Sequence, residues 1–130
     1  MGFDKKNVTN LNKIVEATGA KIVISSNWRL GRSLEQLKHL LKLNGLTENA
    51  EIIDITIDYG EIRLNEGILI SLTREQEIQS WIAKNGDKIE NFVILDDETT
   101  FKWLKSRWIQ TFIEDGLTEE LANKAIEILK

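Results

Sequence analysis

Two short runs place reactive side chains at the end of apolar stretches. In Ile22-Val23-Ile24-Ser25-Ser26-Asn27-Trp28-Arg29, three β-branched residues lead into two hydroxyls, an amide and a guanidinium. Hydroxyls at a strand end can donate to phosphate oxygens, and Arg29 adds charge. In Val93-Ile94-Leu95-Asp96-Asp97, an apolar run ends in adjacent carboxylates, which is costly unless a cation or hydrogen bonds offset it. Mg²⁺ takes one or two carboxylates together with waters and a substrate phosphate, so Asp96 and Asp97 are the candidate metal ligands. Arg74 stands in the first turn of a predicted helix, where backbone N–H groups already favour an anion. Each feature also has a plainer use: serines at strand ends form turns, an aspartate caps the turn at Glu98-Thr99-Thr100, and a lone arginine is solvated.

Other residues carry weaker signals. His39 is the only histidine and lies off the leucine stripe of its helix, which points it to solvent rather than to a ligand or a triad. The segment Phe101-Lys102-Trp103-Leu104-Lys105-Ser106-Arg107-Trp108 interleaves aromatics with cations as single-strand binders do, although core packing with snorkelling lysines explains the same pattern.

The elements that must position these residues follow from apolar spacing and cap signals. Val8, Leu11, Ile14 and Val15 share a helical face, and Gly19 permits the left-handed stop. A strand is predicted at Lys21–Ser25. Ser33 with Gln36 makes a capping box before the stripe Leu34, Leu37, Leu40 and Leu41, which ends near Asn44-Gly45. Glu51–Ile57 is isoleucine-rich and reads as a second strand, whereas Asp58–Ser71 is too irregular to assign. Thr73 and Gln76 form another capping box, followed by Ile78, Trp81 and Ile82 and a stop at Asn85-Gly86. Phe92–Leu95 reads as a buried parallel strand and Trp108–Phe112 as a last one; Thr118 caps a helix whose Leu121, Ala122, Ala125, Ile126 and Leu129 face the core. Helices alternating with short strands predict an α/β fold, a sheet covered by helices on its faces, with ligands at the carboxyl ends of the strands.

Size and composition bound the function. The 130 residues, 42% of them hydrophobic, suit one domain with an ordinary core, 1–130. No cysteine is present, so disulfides and thiolate metal sites are excluded. The first residues are polar and no apolar run reaches the ~20 residues of a membrane span, so a cytoplasmic protein without a membrane partner is expected. A formal charge of −4 argues against a whole-domain basic field for nucleic acid and leaves room only for a local groove.

In order along the chain, a serine at a strand end, a basic residue opening a later helix and paired aspartates after a further strand resemble motifs two, three and four of the haloacid-dehalogenase-like (HAD-like) superfamily. The stretches Phe3-Asp4, Asn10 to Arg29, Arg74-Glu75-Gln76-Glu77-Ile78 with Trp81, Val93 to Asp97, and Gly116-Leu117-Thr118 are similar to the HAD domain of the Swiss Army knife RNA-repair proteins. The resemblance implies a Rossmann-like three-layer sandwich with a mostly parallel sheet. It also implies a phosphatase-related function: Mg²⁺-dependent hydrolysis of phosphomonoesters, on a phosphorylated small molecule or a nucleic-acid end. By the same resemblance Ser25 or Ser26, with Asn27 and Arg29, binds the phosphoryl group, Arg74 stabilises its charge, and Asp96 or Asp97 holds Mg²⁺.

One part of the family pattern is missing. The first motif, an aspartate pair one residue apart at the end of the first strand, supplies the nucleophile and the acid for the leaving group. No such pair occurs in the 130 residues. Ile55-Thr56-Ile57-Asp58-Tyr59-Gly60 has threonine where the nucleophile belongs, and only Met1 and Gly2 precede Phe3. The expectation is a domain that is short at its N-terminus and lacks the usual first strand: either a truncated enzyme or a pseudoenzyme that binds a phospho-ligand or nucleotide, or serves as a protein-interaction subunit. A missing central strand leaves its neighbours without backbone partners, which a second copy of the chain or a partner strand would restore.

Overall fold

The structure, a computed structural model, describes residues 5–25, 30–57, 61–63, 69–97, 101–111 and 115–130, with the backbone alone described at 61–63 and 69–71. The chain runs α1 (Lys5–Thr18), β1 (Ile22–Ile24), α2 (Leu34–Leu43), β2 (Ile52–Ile55), β3 (Glu61–Arg63), β4 (Leu69–Ser71), α3 (Arg74–Asn85), β5 (Ile94–Asp96), β6 (Trp108–Gln110) and α4 (Glu119–Leu129). It is an α/β fold with parallel strands, as expected.

Local chemistry fixes the helices. Ser33 caps α2 and Thr73 caps α3, each through a complete capping box with Gln36 and Gln76. Thr118 accepts the Leu121 N–H and caps α4. Helix α1 ends at Gly19, whose φ of 70° is left-handed and whose N–H donates to the Val15 carbonyl at 2.7 Å. Helix α3 stops at Asn85-Gly86 for a different reason from the one its sequence suggests. Gly86 keeps a right-handed φ of −60° and opens a 3₁₀ turn, Gly86–Lys88.

Among the described residues the strands pair two by two. β1 and β2 are parallel, β3 and β4 antiparallel, and β5 and β6 parallel, in three separate two-stranded sheets. Helix α2 covers β1–β2: Leu37 and Leu41 pack with Val8, Ile24, Leu46 and Ile52 in one apolar cluster. Helix α4 covers β5–β6, where Ala122, Ala125 and Ile126 pack with Ile14, Ile109 and Leu117. Helix α1 joins the two, with Val8 in the first cluster, Ile14 in the second and Leu11 against both. Helix α3 ties the same pairs by polar contacts. Its Trp81 Nε1 donates to Asp54 Oδ2 on β2 at 2.8 Å, and its Arg74 reaches Asp96 on β5.

The asparagines of α1 hold the loops behind it. Asn7, buried, accepts the Leu117 N–H at 2.8 Å, and Asn10 donates to the Leu117 carbonyl at 2.8 Å. Asn12 accepts from the Thr47 N–H and donates to the Gly45 carbonyl. Each pairs a backbone group that the turn leaves without a ladder partner.

Candidate functional site

The site is built at the carboxyl end of β5. Asp96 is the last residue of that strand and Asp97 follows it; Arg74 is the first residue of α3. Arg74 Nη1 donates to Asp96 Oδ2 at 2.8 Å, with the side chains only 12% and 3% exposed. The Asp96 carbonyl accepts the Thr111 N–H at 3.0 Å and the Trp108 indole N–H at 3.2 Å, which locks the backbone under the carboxylate. A carboxylate this buried needs the guanidinium: removing either partner strands the other charge away from water.

Beside Arg74, Glu75 is buried as well, and its carboxylate faces the chain that leaves β5. Oε2 accepts the N–H groups of Lys102, Trp103 and Leu104 at 2.9, 3.0 and 3.0 Å, and Oε1 accepts Lys102 again at 3.1 Å. Burial pushes the Glu75 carboxyl up, but the three N–H groups and the Lys102 charge outweigh it and hold the group below its ordinary range. Parallel strands are usually joined by a helix that satisfies its own backbone. In the connection from β5 to β6 only the 3₁₀ turn Lys105–Arg107 is helical among the described residues, and Glu75 supplies acceptors where a helix would have.

The aromatic and basic segment divides in two. Phe101 is buried and packs against Trp108, ring centroids 5.0 Å apart and tilted by 40°. Arg107 donates to Asn91 Oδ1 and lies 5.6 Å from the Phe92 ring centroid. Lys102 and Lys105 are exposed, and Trp103 is 68% exposed, more than any other large hydrophobic residue among those described.

Arg74 and Asp96 are therefore brought together, with Asp97 exposed next to them. Ser25 is half-buried and follows Ile24 at the carboxyl end of β1. Ser26, Asn27 and Arg29 lie outside the described residues, as do Trp28 and the turn Glu98-Thr99-Thr100. His39 is exposed on α2, in keeping with its place off the leucine stripe. Sequence reasoning singled out Arg74 and missed its neighbour Glu75. An acid in the first turn of a helix reads as ordinary dipole matching, and its partners lie 27 to 29 residues further on.

The donor set for Mg²⁺ is thin. Among the described residues no three His, Cys, Asp or Glu side chains gather as a metal site, and Asp96 is already paired with Arg74. Mg²⁺ is commonly held by one or two carboxylates with waters and a substrate phosphate, and Asp96 and Asp97 would be those carboxylates here. No helix among the described residues is long and apolar enough to cross a membrane.

A family model described as the HAD domain in Swiss Army Knife RNA repair proteins matches residues 1–122. No curated protein and no solved structure matches the chain.

Proposed function

Given that the chain belongs to the family of HAD domains in Swiss Army Knife RNA repair proteins, and is phosphatase-related by that membership, we propose that the carboxyl end of β5 recognises a terminal phosphate monoester on a nucleic-acid end. The observation that carries the reading is the buried Arg74–Asp96 pair at a parallel strand end. A guanidinium presents five N–H donors in a fixed fork that matches phosphate oxygens, and a carboxylate that holds one of them sets its direction. Asp96 is thus the positioning residue and Arg74 the anion contact. Ser25 stands at the end of β1, and the family resemblance adds Ser26, Asn27 and Arg29 as further anion contacts.

Hydrolysis needs more than these groups offer. A nucleophilic carboxylate and an acid for the leaving oxygen are required, and the 130 residues contain no aspartate pair one residue apart. HAD enzymes generally use Mg²⁺, and Asp96 and Asp97 would be the groups that hold it here. The function proposed for this stretch is binding and orientation of the phosphate. Titration of oligonucleotides ending in phosphate or in hydroxyl tests it. A preference for phosphate that disappears in Arg74→Gln supports the reading, and equal affinity for both ends defeats it.

A second reading rests on the strand pairing. β1 and β5 belong to separate sheets held together by α1 and α3. A strand from a second copy or from another protein, hydrogen-bonded to both, would join them into one sheet by strand addition. Sedimentation over a range of concentrations tests the homodimer; a monomer throughout, with or without candidate partners, removes this reading.

A further inference from the structure

We propose that Trp103, flanked by Lys102 and Lys105, is a base-stacking platform for single-stranded nucleic acid beside the phosphate site. The inference deepens the reading of Arg74 and Asp96 by naming what lies next to the phosphate.

Three observations converge on it. First, Trp103 is 68% exposed, whereas the half-buried Trp81 and Trp108 spend their indole N–H groups on Asp54 and on the Asp96 carbonyl. A ring of this size left in water forgoes the stabilisation that burial gives, and base stacking recovers it. Second, the backbone beneath the ring is fixed. Glu75 binds the N–H groups of Lys102, Trp103 and Leu104 in succession, so the indole stands on a pinned support rather than on a free loop. A preorganised aromatic loses little entropy when a base settles on it. Third, exposed cations flank the ring, one of them, Lys102, partly offset by the Glu75 carboxylate beneath. Phe101 to Gln110 carries Lys102, Lys105 and Arg107 and no acid, within a protein of formal charge −4. That is the complement a phosphodiester backbone requires.

The position is also apt. Glu75, which grips Trp103, directly follows Arg74, which grips Asp96. Adjacent residues in the first turn of α3 thus support both the phosphate contact and the backbone under the ring. Because every base has a π-face, stacking on the ring is tolerant of sequence, and because the ring is open it selects unpaired bases.

The test is fluorescence anisotropy with a labelled single strand of about ten nucleotides ending in hydroxyl, within the span such sites occupy. The parent, Trp103→Ala, Trp103→Phe and a Lys102→Gln plus Lys105→Gln variant are compared, with a hairpin duplex as control. Trp103→Ala should weaken single-strand binding roughly tenfold and Trp103→Phe should retain most of it. The double lysine variant should flatten the salt dependence by about 1.4 in slope, two contacts at about 0.7 each. Trp103→Ala binding as the parent does, duplex binding as tightly as single strand, or a folded parent that binds no oligonucleotide at low salt each overturns the proposal. A hydroxyl end keeps this result separate from the phosphate reading. Loss of phosphate preference leaves the Trp103 effect standing, and loss of the Trp103 effect leaves phosphate preference standing.

Discussion

The carboxylate of Glu75 lies 3.0 Å from the backbone nitrogen of Trp103, so the second residue of α3 sets the course of the chain beyond β5. Its neighbour Arg74 secures the strand end itself, and the first turn of one helix thereby organises both sides of the site.

Glu75→Ala removes the acceptor for three part-buried N–H groups and should cost about 2–4 kcal/mol at neutral pH by urea denaturation, since an unsatisfied group costs on the order of 1–3 kcal/mol and water re-solvates the exposed ones. Glu75→Gln should fall between variant and parent. The pH dependence has a definite sign. The folded carboxyl titrates below its ordinary value of 4.5, so its stabilisation is complete above that pH and fades as the pH falls through the lower, folded value. The parent should lose this component in acid and Glu75→Gln should have none to lose; parallel acid profiles for the two proteins contradict the assignment.

Because Asp96 is buried and Arg74 is largely withdrawn from solvent, Arg74→Gln or Asp96→Asn alone should destabilise by about 3–5 kcal/mol, the cost of a stranded charge. Replacing both should cost less than the sum of the two. A double-mutant cycle by chemical denaturation measures the difference, and strict additivity would show that the pair does not act as a unit.

Purified chain with Mg²⁺ should turn over simple phosphate monoesters no faster than buffer, since no aspartate pair one residue apart is present to attack phosphorus. Sustained release of phosphate that co-purifies with the intact mass and vanishes in Asp96→Asn would require another nucleophile at the site.

Gly116 has a φ of 61°, and a Cβ built there overlaps the Asn7 carboxamide. Gly116→Ala should therefore displace Asn7 from the Leu117 N–H and cost roughly 1–3 kcal/mol, combining left-handed strain with a weakened buried hydrogen bond. Thermal melting by circular dichroism checks it, and an unchanged midpoint would mean the loop absorbs the methyl group at no cost.

What could be read from the sequence was local chemistry. Ser33 with Gln36 and Thr73 with Gln76 specify helix starts within four residues, and the geometry matches them in both places. The strands read at Lys21–Ser25 and Phe92–Leu95 overlap β1 (Ile22–Ile24) and β5 (Ile94–Asp96), the second beginning two residues later than read and taking in Asp96, and their polar ends also marked Ser25, Asp96 and Asp97. Contacts between distant segments were not visible. Neither the Trp81–Asp54 bond nor the grip of Glu75 on residues 102–104 has a spacing signature, because each joins elements that meet only after folding. The β3–β4 pair escaped for a different reason: strands of three residues are too short for alternation to register. Asn7, Asn10 and Asn12 carry no spacing signal of their own, because their use on loop backbones depends on where residues 45–47 and 117 arrive.

The packing of α1 against α4 bears on how the protein is made. Val8 can bury itself once residues 24 to 52 have emerged from the ribosome, but Ile14 finds its cluster only among Ile109, Leu117, Ala122, Ala125 and Ile126. Until α4 emerges, α1 carries half of an apolar face with nothing to cover it, at an elongation rate of about 5–20 residues per second. The packing of α1 is therefore complete only once α4 has been translated.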